Sequence, residues 1–144
     1  QLPDMTLIGQ SALPGQGWGA THTGSVMWFS DGSDRLFSAD LTGGGTLASV
    51  SVTLNGQPLR NLNELEWVDG EIWANVWQTD QIARIDPASG KVVGLIDLTG
   101  LLLEEDRLRD TDVLNGIAID PQSGDIWVTG KRWPWLYQIE LAPR

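Results

Sequence analysis

The chain has 144 residues, a formal charge of −10, one histidine (His22) and no cysteine. That length supports one domain with a core of its own, and the missing thiols exclude a disulfide framework, a cysteine zinc site and a thiol nucleophile. A lone histidine speaks against a histidine-rich metal centre, and so acidic a surface repels nucleic acid and anionic lipid. No apolar run approaches the ~20 residues of a membrane-spanning helix, so no membrane insertion is expected. Eight Trp against one Tyr and two Phe is the compositional outlier. Indoles favour places with one apolar side and one wet side, so core filling alone is an uncomfortable explanation for so many.

Taken in order, the chain opens with Leu7-Ile8-Gly9-Gln10, which matches the later Val92-Val93-Gly94-Leu95. Residues 1–12 are therefore expected to be the last strand of a preceding blade. Residues 17–40 then register on residues 63–86 without a gap, 46 residues apart. Gly24 falls on Gly70, Met27 on Trp73, Asp34 on Asp80 and Asp40 on Asp86. A third copy begins at Asn115, with two extra residues before Gly124. Each copy reads as short strand, glycine turn, short strand, polar loop, short strand, then a turn such as Asp86-Pro87-Ala88-Ser89-Gly90. Blades are expected over residues 13–58, 59–100 and 113–144, the last without its fourth strand. Residues 101–109 offer one helical turn in the connection. Four short strands in ~40–50 residues is the signature of a propeller blade, so the fold class is all-β, a β-propeller with about three blades in this chain. Propellers close with ~4–8 blades. The expected partners are therefore the missing N-terminal blades, on the same protein or a separate chain, or a second copy that closes the arc.

Repeat-equivalent positions of a propeller form a ring about its axis. The starts of the first strands hold Trp18, Asn63-Glu64 and Asn115, while Trp77 and Lys131 stand at the ends of second strands. Trp18, Asn63, Trp77 and Lys131 are thus candidates to converge on one mouth. Two indoles, an amide and an ammonium suit a small polar ligand with an apolar stem; the alternative is that the indoles only pack neighbouring blades. Trp73 and Trp127 sit mid-strand and read as core. Arg132 and Trp133 read as parts of a rigid loop, and Glu104-Glu105-Asp106 as a solvated one. The glycine run Gly43-Gly44-Gly45 reads as a turn between strands, and Asp31-Gly32-Ser33-Asp34 lacks a calcium-loop pattern. His22, placed in the first turn of a blade, is too far from the ring to serve a catalytic triad.

The block Leu62-Asn63-Glu64-Leu65-Glu66-Trp67, continued by Ala74-Asn75-Val76-Trp77-Gln78-Thr79-Asp80, resembles the glutamine cyclotransferases. Gly15-Gln16-Gly17-Trp18-Gly19, Asp112-Val113-Leu114-Asn115-Gly116 and Thr129-Gly130-Lys131-Arg132-Trp133-Pro134 follow in order over nearly the whole chain. The resemblance implies a five-bladed propeller that cyclises N-terminal Gln of peptides to pyroglutamate with release of ammonia. It implies an acyltransferase with no metal and no cofactor, acting on peptides or proteins that begin with Gln, and a periplasmic or secreted setting. Carried over residue by residue, it makes Lys131 and Asn63 catalytic and Trp18, Trp77 and Asn63 substrate-binding. The family's acid/base Glu, in a Phe-Gly-Glu-Gly-type segment, would fall before residue 1. Gln16 stands where the family block has Glu; Glu64, beside the ring, is the first carboxylate to consider as a substitute for the missing acid/base, but reads as structural because it is part of the family block itself. The alternative function is a catalytically inactive partial propeller that serves as a peptide-binding or assembly module.

Overall fold

The structure is a computed structural model and describes residues 5–7, 10, 12–13, 15–42 and 47–142. The expected leading strand at residues 7–10 and the Gly43-Gly44-Gly45 turn lie wholly or partly outside the described residues.

The described chain is all-β apart from one 3-10 turn, Glu104–Asp106, inside the stretch expected to make a helical turn. Strands β1 (Ala20–Thr23), β2 (Val26–Ser30), β3 (Arg35–Asp40) and β4 (Leu47–Ser51) form the first antiparallel meander. A small hairpin, β5 (Thr53–Leu54) and β6 (Gln57–Pro58), links it to the second sheet. That sheet holds β7 (Leu62–Val68), β8 (Glu71–Val76), β9 (Gln81–Ile85) and β10 (Val92–Asp97). The third holds β11 (Leu114–Ile119), β12 (Ile126–Gly130) and β13 (Tyr137–Ile139).

Turn chemistry sets these hairpins. Asp69 and Gly70, at φ 48° and 88°, span the two-residue turn between β7 and β8, a geometry whose twist matches that of the flanking strands. The aligned glycines Gly24, Gly70 and Gly124 all have positive φ, so the repeat glycine is a backbone requirement of the turn. Asp86 makes the next turn: Oδ1 accepts the Ala88 N–H at 2.9 Å and Oδ2 the Ser89 hydroxyl at 2.6 Å.

Strand alternation then places two cores on either side of the second sheet. Leu65, Ile72, Ala74 and Ile85 pack with Leu36 and Val52 towards the first sheet. Val68, Trp73 and Ile82 pack with Leu114, Ile117 and Val128 towards the third. Trp73 is buried, as expected for core, and Trp127 is half-buried. The first strand β7 lies against both β1 and β11, so the innermost strands of the sheets stand side by side. Glu66 ties them together: Oε1 accepts the Ile119 N–H at 3.1 Å, and Oε2 lies 3.5 Å from the Thr21 hydroxyl. Thr21 Oγ1 in turn accepts the Trp67 N–H at 3.0 Å. Three meanders packed face to face around their first strands make the architecture propeller-like. One local expectation fails: His22 lies within β1, paired with Met27, because the first strand runs on to Thr23 before the Gly24 turn.

Candidate functional site

The site is built where first strands begin and second strands end. Trp77 N–H donates to the Asn61 carbonyl at 2.8 Å, and Lys131 N–H donates to the Val113 carbonyl at 2.9 Å. The two residues thus occupy the same station, just past the second strand and across from the lead-in to the first. In the first sheet the same closure runs through Ser30, whose carbonyl accepts the Trp18 N–H at 3.0 Å and whose N–H meets the Gly19 carbonyl at 3.0 Å.

Trp18 and Trp77 come together edge to face, with ring centroids 5.5 Å apart at 80°. Both are half-buried, and Trp18 Nε1 donates to Gln16 Oε1 at 3.2 Å. The Trp18 ring is seated on Gly32, which has φ +82°; a Cβ there would lie 2.6 Å from the indole carbons. Glycine is therefore required at position 32 twice over, by the backbone and by the ring.

Asn63 is 6% exposed, and its backbone is fixed from the neighbouring sheet. The buried Ser30 hydroxyl donates to the Asn63 carbonyl at 2.6 Å and accepts the Gly19 N–H at 3.0 Å. A Cβ on Gly19 would collide with that Asn63 carbonyl and with the Glu64 Cα, so the two segments are pressed directly together. The Trp18 end of the first sheet and the Asn63 end of the second are thereby locked in register. Lys131 is exposed, and among the described residues it has no ion-pair partner. Its carbonyl accepts the Asp112 N–H at 3.0 Å. The structure brings Trp18, Trp77 and the Ser30–Asn63 anchor into one assembly; Lys131 holds the Trp77-equivalent station of the next sheet, with no direct contact to them.

Trp133, expected to be a loop element, is held as one. Its indole lies over Gly130, donates to the Asp112 carbonyl at 2.8 Å, and meets Tyr137 edge to face at 6.1 Å. Between the second and third sheets, Asn75 Oδ1 accepts the Gly116 N–H at 3.0 Å. Asn75 Nδ2 and Asn115 Oδ1 are buried without a partner among the described residues.

Sequence reasoning passed over Ser30 and read Glu64 as structural. Ser30 is recognisable only once the sheets are packed, because its partners lie 11 and 33 residues away. Glu64 is half-buried beside Trp18 in an open cavity of about 330 Å³. Burial pushes its carboxyl up to about 7, and the neighbouring charge of Glu66 adds to the effect. A larger groove of about 420 Å³, lined by Arg84, Asp97, Leu98 and Ile139 among others, holds none of the candidate residues. Among the described residues no group of His, Asp and Glu side chains is placed to hold a metal ion.

Radial antiparallel meanders, with indoles and an anchored amide where strands begin and end, define a propeller-type protein. The glutamine cyclotransferase family matches residues 2–141, and the chain belongs to that family. It is 45% identical over 128 residues to a glutaminyl-peptide cyclotransferase of Arabidopsis thaliana, a match covering 87% of this chain and 40% of the relative. The Myxococcus xanthus glutaminyl cyclase structure superposes with a TM-score of 0.79 at 40% identity, over 89% of this chain and 56% of that one. A virginiamycin B lyase from Staphylococcus aureus, at 19% identity and a TM-score of 0.50 over 89% of this chain and 42% of the lyase, shares the fold alone. The chain therefore spans about half the length, or less, of the relatives it matches.

Proposed function

We propose that the chain carries part of the site of a glutaminyl-peptide cyclotransferase, which converts N-terminal Gln of peptides to pyroglutamate and releases ammonia. The observation that carries this reading is the edge-to-face Trp18–Trp77 pair beside an Asn63 whose backbone is fixed by Ser30. The names of the Arabidopsis and Myxococcus relatives support it. The reaction requires the α-amine to reach the γ-carboxamide carbon, so the Gln side chain must be held curled. Two indoles at right angles offer apolar walls for the methylenes of that curl. Asn63 binds the substrate's amide, and Lys131 supplies the positive charge for the developing oxyanion.

Mass spectrometry of a Gln-initiated peptide incubated with the chain tests the reading: ammonia should be lost above the spontaneous rate. Replacing Lys131 with Ala should lower turnover by about 10²–10³, the range for losing an oxyanion donor. Loss of binding with turnover intact would remove Lys131 from that role.

The partners proposed are the remaining sheets of a five-bladed propeller. The first sheet leaves Met27 and Leu47 exposed, at 37% and 46%, and the third sheet has three strands among the described residues. Intact-mass analysis showing a separate chain that co-purifies would support this completion; a monodisperse homo-oligomer would support closure by a second copy. The exposed apolar residues also favour the reading as an assembly module without turnover, which predicts no ammonia release under any of these conditions. A periplasmic or secreted setting is proposed from the family; among the described residues no helix is long and apolar enough to cross a membrane.

A further inference from the structure

We propose that the groove between the second and third sheets, beside Trp77 and Lys131, is a subsite for the substrate peptide beyond its N-terminal Gln, and that it favours a basic side chain at the second or third residue. The inference rests on the cyclisation proposed above and deepens it by naming a substrate class.

The groove, of about 280 Å³, joins two stations that do not touch each other directly. One wall begins at Gln78, the residue after Trp77, and runs on to Asp80. The facing wall holds Asp112 and Val113, whose backbones are bonded to Lys131. The Val113 carbonyl accepts the Lys131 N–H at 2.9 Å, and the Asp112 N–H donates to the Lys131 carbonyl at 3.0 Å. An N-terminal Gln continues in one direction only, through its own carbonyl. The junction of the first and second sheets is sealed: Gly19 is pressed onto the Asn63 carbonyl, which also accepts the Ser30 hydroxyl at 2.6 Å. The junction of the second and third sheets is open. An extended chain advances ~3.3–3.6 Å per residue, so its second and third side chains reach a groove that starts one residue from Trp77.

The walls select the sign of charge. Asp80 is the repeat equivalent of Asp34, which meets Arg60 at 3.7 Å. The cation in the groove, Arg107, turns instead to Glu104 at 3.3 Å. The Asp80 carboxylate has no partner among the described residues. The Asp112 carboxylate accepts the N–H of Val113 at 2.8 Å and meets no cation. Two carboxylates thus line the groove uncompensated, while its own cation is committed elsewhere. Trp133 adds a flat wall, fixed by the 2.8 Å bond from its indole to the Asp112 carbonyl. A Lys or Arg side chain fits both features, with its stem on the indole and its cation at the carboxylates. A Glu or Asp side chain meets like charge.

The test compares Gln-Arg-Arg-amide, Gln-Ala-Ala-amide and Gln-Glu-Glu-amide on the full chain at neutral pH and low ionic strength. Ammonia release gives kcat/KM and Trp fluorescence gives Kd, so the comparison also holds where peptides bind without turnover. The basic peptide should exceed the neutral one by about tenfold, or about threefold for each solvent-accessible ion pair, with the acidic peptide last. The difference should lie in KM rather than kcat and shrink as salt is added. Asp80→Asn with Asp112→Asn should abolish the preference; Asn at 112 keeps an oxygen for the Val113 N–H. Asp80→Lys should favour the acidic peptide. A net charge of −10 draws basic peptides to any part of the surface, so a second double variant is needed. Asp69→Asn with Glu140→Gln removes as many charges outside the groove and should keep the preference. A preference that falls equally in both double variants overturns the subsite, as does a wild type that treats the three peptides alike; either result leaves the proposed function standing. A wild-type chain that neither binds nor cyclises any of the three overturns the proposed function, and the subsite with it.

Discussion

At the scale of single residues, two neighbouring carboxylates meet opposite surroundings. Glu66 has N–H and O–H donors from two other sheets, and Glu64 has none among the described residues. The cost of keeping Glu64 should be visible in stability. Its carboxyl is raised from the usual 4.5 to about 7, so between those values the folded state binds more protons than the unfolded chain. Stability therefore falls as pH rises through that window and levels off above about 7. Glu64→Gln removes the slope, and the variant should gain on wild type from pH 4.5 upwards. The gain should reach about 1–2 kcal/mol near pH 8, partial solvent access screening the rest of the shift. Urea unfolding of both proteins at pH 5 and pH 8 measures it: a constant difference between them would contradict a carboxyl raised by burial.

At the scale of elements, each sheet is fixed by a few backbone demands rather than by strand propensity. Gly90 is the sharpest case. It has φ +70°, its N–H donates to the Asp86 carbonyl at 2.8 Å, and its own carbonyl accepts the Thr53 N–H at 2.9 Å. A Cβ there would fall on the Ser51 carbonyl and on the Val50 side chain of the first sheet. Gly90→Ala adds left-handed strain to a backbone collision across two sheets and should cost about 2–4 kcal/mol, read as a lower urea midpoint at unchanged slope. Gly56→Ala, also at positive φ but with open space around it, should cost only about 1 kcal/mol. The Asp-Pro-Ala-Ser-Gly turn and the strand order were legible in the sequence because both depend on contacts within a dozen residues. The gapless match of residues 17–40 to residues 63–86 also carried the equivalence of the turn glycines. What the sequence hid is lateral. That Ser30 anchors Asn63, or that Glu66 and not Glu64 holds the sheets, depends on which faces meet after packing. His22 was misplaced because a glycine turn marks a strand's end only to within a few residues.

At the scale of the whole molecule, charge and apolar surface act against each other. Ten net negative charges keep copies apart at neutral pH, while Met27 and Leu47 lie exposed on the first sheet beside a Phe29–Phe37 stack at 5.3 Å. On β2 and β3 the side chains that alternate with these turn to the second sheet, where Leu36 is fully buried and Trp28 packs against the core. The first sheet thus spends one face on its neighbour and leaves the other partly uncovered. Repulsion vanishes near pH 4.2, where the net charge is nil, and the apolar contacts are then unopposed. Light scattering should show association rising steeply as pH falls from 7 towards 4.2, reversing on return to neutrality. The double substitution Met27→Lys with Leu47→Lys should suppress that association, although it moves the net charge closer to zero at neutral pH. If association instead followed net charge alone, the doubly substituted chain would associate at a higher pH than wild type. The direction of that one shift separates an apolar face that seeks a neighbour from ordinary isoelectric precipitation.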